Sequence, residues 1–372
     1  MQINSIKIKN FRNHLEKELL FDGGINVLWG NNGVGKTTIL EAISVCSISK
    51  SFTTNTDANL INNNENQYYV SAKCSNDLNL PYNISVSFTQ KQPKEIITNT
   101  GNRLLPKDII GEIPLVILSP DYKKITAGSP EFRRQFINSI LSQASKIYLE
   151  KLYQHRKILK QRNSLLSQFK GNLNSKNESL LPILSQWTDA LISISSDLII
   201  RRNEFINNFN PIFINAYKTI TNSKENVNIV YQPDSISYTN IDKNQIIEIL
   251  TNRSNAILNA EIKRATTLFG SQKDDIKIFI NNGLAKEYAS QGQHKSLLIA
   301  IKFAEFQYLL KNKNETPVIL FDDIFSELDN IRIEKVLDLL TKSKAQIFIT
   351  LTDPTIIKKA TNISTNLIEI SK

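Results

Sequence analysis

The eight residues Gly30-Asn31-Asn32-Gly33-Val34-Gly35-Lys36-Thr37 set glycines, a lysine and a threonine at the spacing G-x-x-x-x-G-K-[ST]. Glycines placed this way let consecutive backbone N–H groups curl around a phosphate with no side chain in the way. In that chemistry Lys36 reaches the β- and γ-phosphates and the Thr37 hydroxyl ligates Mg²⁺. A helix following Thr38 aims the positive end of its dipole at the same anion. Gly30 through Thr38 are therefore the expected ATP-binding residues.

A nucleotide site also needs an acid at the end of a buried strand. Val318-Ile319-Leu320-Phe321-Asp322-Asp323 supplies two. Asp322 is expected in the Mg²⁺ shell and Asp323 on the attacking water; acids that merely cap a turn are the other reading. Nearly three hundred residues separate Lys36 from Asp322, far more than one strand–helix repeat requires, so a large insertion divides the site. Before the acids, Ser290-Gln291-Gly292-Gln293 opens a helix, and Ser326-Glu327-Leu328-Asp329 follows them. Ser290 and Gln293 fit a capping box. The same unsatisfied N–H groups can meet the γ-phosphate of an ATP held by another copy, so both readings stand together. On the second reading Ser290 is catalytic, and Ser290 and Gly292 both contact nucleotide.

The elements that must hold these residues are legible as periodicities. Strands are expected at Ile6–Ile8, Leu19–Phe21 and Ile25–Trp29, with a tight turn at Gly23-Gly24. A helix carries Ile39, Leu40, Ile43 and Cys46 at three- and four-residue intervals. Tyr68–Cys74, Tyr82–Phe88 and Glu95–Thr98 alternate like a meander, and Pro114–Leu118 reads as a buried strand ending at Ser119-Pro120. From about Pro130 to Ala216 the pattern is helical, with Tyr148, Leu152, Leu159 and Leu166 on one stripe. Val227–Tyr231 and Ile276–Ile280 read as strands bracketing a helix at about Asn244–Thr267. A long helix follows over about Gly292–Leu310, then the strands Val318–Phe321 and Gln346–Thr350, the last of which closes the chain.

The chain has 372 residues, enough for one large domain or two of ordinary size. No apolar run reaches the length of a membrane span. Cys46 and Cys74 are too few for a disulfide framework and lack metal-ligand spacing, so a cytoplasmic protein is expected. His14, His155 and His294 are scattered, and no catalytic or metal role is expected of them. A net charge of +10 suggests an anionic partner, nucleic acid or a membrane surface, although an AT-rich genome inflates lysine by itself.

Taken together, the phosphate loop, the Ser-Gln-Gly-Gln segment, the Asp-Asp strand and the Ser-Glu-Leu-Asp turn resemble ABC-type ATPases of the SMC-head kind. Within that group the chain is similar to the RecF family of bacterial recombination mediators. Phe11-Arg12-Asn13, Ser119-Pro120-Asp121, Gly128-Ser129-Pro130 with Arg133-Arg134, Gln161-Arg162-Asn163 with Leu165-Leu166, and Tyr288-Ala289 before Ser290 carry that likeness. The resemblance implies an α/β fold: an ABC-type, SMC-head-like ATPase lobe, placed at 1–125 and 265–372, with an inserted, mainly helical second lobe at 126–264. It implies ATP with Mg²⁺, an ATP-dependent homodimer, DNA binding at single-strand/double-strand junctions, and help in loading RecA together with RecR and RecO. Three departures stand out. Gly270-Ser271-Gln272-Lys273-Asp274-Asp275 sits where the family reads Gly-Pro-His-Arg-Asp-Asp, Asn138 replaces an acid, and Thr352 stands where transporter-type ATPases carry a histidine.

Asp323 is one methylene shorter than the glutamate common at this position in related ATPases, so slow hydrolysis, accelerated by DNA and suited to a switch, is expected. For DNA, Lys151, Arg156, Lys157, Lys160, Arg162 and Lys170 lie in one stretch without an acid. Arg156, Lys157, Lys160 and Arg162 are the expected phosphate contacts, with an ordinary solvated face as the other reading. Two rival classes are weighed. A transporter motor subunit conflicts with the long helical insertion and the missing histidine; a chromosome-structuring protein lacks its long coiled-coil arm.

Overall fold

The computed structural model describes residues 1–99, 101–169, 176–221, 225–234, 236, 242–325, 330–355, 357 and 364–371. Its strands are β1 (Gln2–Phe11), β2 (His14–Leu20), β3 (Ile25–Trp29), β4 (Gln67–Ser75), β5 (Pro81–Thr89), β6 (Glu95–Thr98) and β7 (Arg103–Leu104). Then follow β8 (Leu115–Leu118), β9 (Val227–Gln232), β10 (Asp275–Ile280), β11 (Gly283–Leu284), β12 (Val318–Asp322), β13 (Ile347–Leu351) and β14 (Thr365–Glu369). The helices are α1 (Lys36–Ile48), α2 (Lys124–Ala127), α3 (Pro130–Ala144), α4 (Lys146–Phe169) and α5 (Lys176–Thr221). They continue with α6 (Lys243–Arg264), α7 (Ala285–Tyr288), α8 (Gln291–Asn312) and α9 (Asn330–Lys342). The Ser326-Glu327-Leu328-Asp329 turn and Lys170 lie outside the described residues.

Contacts divide the chain into two units. The first, Met1–Lys123, Asn215–Lys224 and Gln291–Lys372, holds two sheets. One is six-stranded and antiparallel in the order β2-β1-β4-β5-β6-β7; the other is five-stranded and parallel in the order β14-β3-β13-β12-β8. Every residue of β8, β12 and β13 is buried, the signature of parallel strands covered on both faces. Helix α1 packs against strands of both sheets, which explains why it is buried all round from Thr38 to Ser47, with the polar Glu41 and Ser44 hydrogen-bonded inside. Its Ile39, Leu40 and Ile43 join Ile6 and Val70 of one sheet and Leu28, Leu320 and Phe348 of the other in one core.

The second unit, Lys124–Ile214 and Glu225–Ser290, carries α2 to α4, most of α5, and α6. It also contains an antiparallel sheet in the order β11-β10-β9, so it is mainly helical but not wholly so. Tyr148, Leu152 and Leu166 of the expected α4 stripe are buried, and Leu159 is half-buried. Asp242 caps α6 in a capping box: its carboxylate accepts from Gln245 N at 2.9 Å, while Gln245 Oε1 accepts from Asp242 N at 3.0 Å.

Three assignments differ from the sequence expectation: residues Asn215–Lys224, expected in the inserted lobe, belong to the first unit. The segment 265–290, expected in the nucleotide lobe, belongs to the second unit because β10 pairs with β9 and because its acids are held there. Arg202 Nη1 donates to Asp274 at 2.7 Å, and Arg133 clasps Asp275 at 2.9 and 3.0 Å. The chain also does not close at β13, since β14 adds a parallel strand beside β3.

Two of the three departures, Asn138 and the Gly270–Asp275 segment, find their roles in the second unit. Asn138 Oδ1 accepts from Tyr148 Oη at 2.6 Å and Arg202 Nη2 at 3.1 Å. A neutral amide does this without placing a second negative charge beside buried Asp274. Gln272 hydrogen-bonds His155 Nε2 at 3.1 Å and donates to the Phe269 carbonyl at 2.5 Å.

Arg162 requires a correction. Expected on a DNA-facing surface, it is fully buried, paired through Nη2 to Glu261 at 2.7 Å with both side chains at 0% exposure. It also donates to Thr188 and Thr267 and lies over the Phe269 ring. Its spacing from Arg156 and Lys160 turns it onto the inward stripe of α4 with Leu166. Arg156, Lys157 and Lys160 are exposed, whereas Lys151 is paired to Asp197.

Candidate nucleotide-binding site

Parallel sheets present their ligand sites at the carboxyl ends of the strands, and three such ends converge here. β3 leads into the glycine loop, β12 ends at Asp322, and β13 carries Thr350. The loop needs its glycines: Gly30, Gly33 and Gly35 have φ of 147°, 82° and 102°. A Cβ on Gly35 would stand 2.4 Å from His14 Nε2 and one on Gly30 2.4 Å from the Ile370 carbonyl, so neither position tolerates a side chain.

Lys36 Nζ donates to the carbonyls of Gly30 at 2.7 Å and Asn31 at 2.9 Å, which folds the ammonium over the loop. Burial pushes its pKa down, opposed by the charges of Asp323 and Asp322. Thr37 Oγ1 donates to Asp322 Oδ1 at 2.8 Å across 285 residues of sequence, and Thr350 Oγ1 donates to the same oxygen at 2.9 Å. Burial raises the Asp322 pKa; the two hydroxyls oppose this, while Asp323 and Glu41 reinforce it. Thr37 and Asp322 thus form an all-oxygen pair with the hard donors and separation that suit Mg²⁺.

Asp323 follows in a left-handed conformation (φ 50°), its N–H donating to Thr350 Oγ1 at 2.9 Å. That turn leaves Asp323 exposed and lining an open cleft of about 710 Å³ together with Lys36, Thr37 and Gly33. Ser290 and Gly292 do not line this cleft; they flank the first residue of α8, with Ser290 exposed and Gly292 half-buried.

Several participants were not assigned to the site from sequence, although Phe11-Arg12-Asn13 was among the segments carrying the family likeness. Asn13 donates to the Gly33 carbonyl at 3.2 Å and accepts from Thr38 Oγ1 at 3.1 Å, bracing the loop from outside. His14 Nε2 lies 3.3 Å from the Gly35 carbonyl, and burial lowers its pKa. Arg12 clasps Glu41 of α1 at 3.1 and 2.7 Å and donates to Thr53 at 2.8 Å. The available signal was Arg12-Asn13 at the end of a strand, with nothing local to say that this end meets the loop. Thr350 is a hydroxyl at the end of a strand, unremarkable until β13 is known to lie beside β12.

Fold and site define an α/β P-loop ATPase with an inserted, mainly helical unit. A family model described as AAA ATPase domain matches residues 1–350. The DNA replication and repair protein RecF of Prosthecochloris aestuarii is 36% identical, over 95% of this chain and 94% of its own. That of Bacillus mycoides is 32% identical, over 95% and 92%. A solved structure described as the recombination mediator protein RecF-ATP in the RecFOR pathway matches with a TM-score of 0.88 and 30% identity, over 95% of this chain and 92% of its own. An Smc head bound to part of ScpA, at 15% identity and a TM-score of 0.57 over 100% of this chain and 94% of its own, shares the fold alone. The chain belongs to the RecF family.

Proposed function

We propose that this chain is an ATP-dependent DNA-binding protein of recombinational repair and replication. On this reading ATP closes a homodimer on DNA at single-strand/double-strand junctions, and slow hydrolysis reopens it. With RecR and RecO it assists the loading of RecA. The observation that carries the reading is the 2.8 Å bond from Thr37 to Asp322, which joins the two halves of a nucleotide site in a chain of the RecF family.

In the site, Mg²⁺ bound between Thr37 and Asp322 would supply charge neutralisation at the β- and γ-phosphates. Lys36 orients the triphosphate, and Asp323, exposed at the cleft, accepts a proton from the attacking water. Ser290, at the exposed start of α8, meets the γ-phosphate of the partner copy. Arg156, Lys157 and Lys160 offer a basic surface for phosphate contacts. Family membership sets the transporter reading aside, and among the described residues no helix is long and apolar enough to cross a membrane.

The test is light scattering with ATP and a gapped DNA on Ser290→Arg, Lys36→Ala and their mixture. Ser290→Arg should bind ATP yet fail to dimerise, and Lys36→Ala should do neither. The mixture should recover partial dimerisation, because each mixed dimer keeps one site with both halves intact. Normal ATP-driven dimers of Ser290→Arg would leave helix capping as the only role of Ser290.

A further inference from the structure

Lys302 takes no part in the chemistry described above, and its burial is costly. It lies midway along α8, 4% exposed, and its Nζ donates at 2.7 Å to Glu305, itself 3% exposed. Val116 and Leu118 of β8, Ile319 and Phe321 of β12, and Ile299 and Phe303 of α8 line the same small apolar cavity. Burial pulls the Lys302 pKa down and pushes the Glu305 pKa up, and each partner's charge opposes the shift of the other. Stability does not account for such a pair, since well-packed apolar residues of similar volume are commonly as good or better in this setting.

The second contact of the ammonium gives it direction. Nζ stands 3.9 Å from the centroid of the Tyr122 ring, within the range of a cation–π contact. Tyr122 belongs to the helical turn Pro120–Lys123, and its N–H donates to the Ser119 carbonyl at 3.1 Å. That turn directly continues β8. Leu118 of β8 pairs with Phe321 of β12, so Ser119 and Asp322 are the next residues of neighbouring strands. The turn therefore starts at the Asp322 level of the sheet and carries the ring that meets Lys302.

Helix α8 is buried on every side from Ser296 to Phe306. Apolar contacts are non-directional, and they tolerate small shifts of a helix along its axis. An ammonium seated between a carboxylate and a ring does not, because moving it strands a buried charge. Glu305 travels with α8, so the Tyr122 ring is the member of this trio that ties the helix to the sheet. The helix so tied begins at Gln291, between Ser290 and Gly292.

We infer that Lys302 is a positioning residue: through Tyr122 it sets the axial placement of α8 against the Asp322 end of the sheet, and so the placement of the helix start in the ATP-driven dimer. The inference rests on the reading of Ser290 under the proposed function and adds the residues that hold that helix start in place.

The experiment compares the full chain carrying Lys302→Met with Glu305→Leu, Tyr122→Phe, or Tyr122→Leu. Each is followed by thermal melting, ATP titration calorimetry and light scattering with ATP. The double variant should melt no lower than the parent and bind ATP equally well, yet its ATP-driven dimerisation should weaken by roughly ten-fold. Tyr122→Phe keeps the ring and should match the parent; Tyr122→Leu should weaken dimerisation with ATP affinity intact. Parent-like dimerisation of the double variant, or equal dimerisation of the Phe and Leu variants, overturns the inference. A fall in ATP affinity also overturns it, because Lys302 would then be supporting the phosphate loop of its own chain. Should the double variant fail to fold, the two Tyr122 variants decide alone. Ser290→Arg separates the two levels. If it dimerises with ATP like the parent, the reading beneath fails; if it does not while the double variant does, this inference alone fails.

Discussion

Glu261→Gln isolates the consequence of burying Arg162. The substitution keeps the shape and the oxygen that accepts from Leu268 N at 2.7 Å, but removes the charge facing a guanidinium of 0% exposure. Four donor contacts of 2.7 to 3.1 Å from Arg162 to Glu261, Thr188 and Thr267 fix the arginine in place, so it cannot swing to solvent. Removing one partner of such a pair costs about 3–5 kcal/mol. For a domain of this size that corresponds to a fall of about 10 °C in melting temperature. Replacing both partners, Arg162→Met with Glu261→Leu, should recover much of the loss because no buried charge then remains. Differential scanning calorimetry of the three variants measures this directly. DNA anisotropy against salt supplies the contrast: Arg162→Ala should leave the salt slope of the folded protein unchanged, while Lys157→Ala should lower it by about one. A Glu261→Gln protein that melts like the parent, or a salt slope that falls with Arg162→Ala, would refute the assignment of Arg162 to the core.

Asp323→Asn should retain ATP-bound dimers while hydrolysis stops, since the amide cannot take the proton; rapid phosphate release by this variant removes Asp323 from the chemistry. His155, with Arg202 and Arg156 near, has its pKa pushed by burial down to about 4 from 6.5. Between those values the unfolded chain binds the proton and the folded one does not, so stability falls as pH drops through that window, by up to about 3 kcal/mol. Chemical denaturation from pH 7 to 4 should show this loss, and His155→Gln should flatten it.

Legibility in the sequence follows the range over which each feature is encoded. The glycine loop is encoded within eight residues, and its flanking strand and helix are adjacent, so spacing and apolar pattern were sufficient. The same holds for β12, whose apolar run and two acids are contiguous. β14 was missed because Thr-Asn-Leu-Ile-Glu is short and half-polar, and only pairing with β3 makes it a strand. The assignment of 265–290 failed for a related reason: β10 reads as a strand on its own, but its partner β9 and the arginines that hold its acids lie 43 to 142 residues earlier.

Burial sign is the hardest quantity to read from a basic helix. In α4, Arg156 and Arg162 have the same chemistry and no acid nearby in sequence, yet one is solvated and the other sealed. What separates them is Glu261, 99 residues away, which makes a fully buried guanidinium tolerable only at the position facing it. The nucleotide site obeys the same logic in reverse. Asp322 lies at the end of a strand whose residues are all buried, where an isolated carboxylate is costly, and the hydroxyls of Thr37 and Thr350 meet the same oxygen. On the proposed reading its position is accounted for by a cation held beside Thr37, and that is why the 2.8 Å contact carries more of the functional argument than either motif alone.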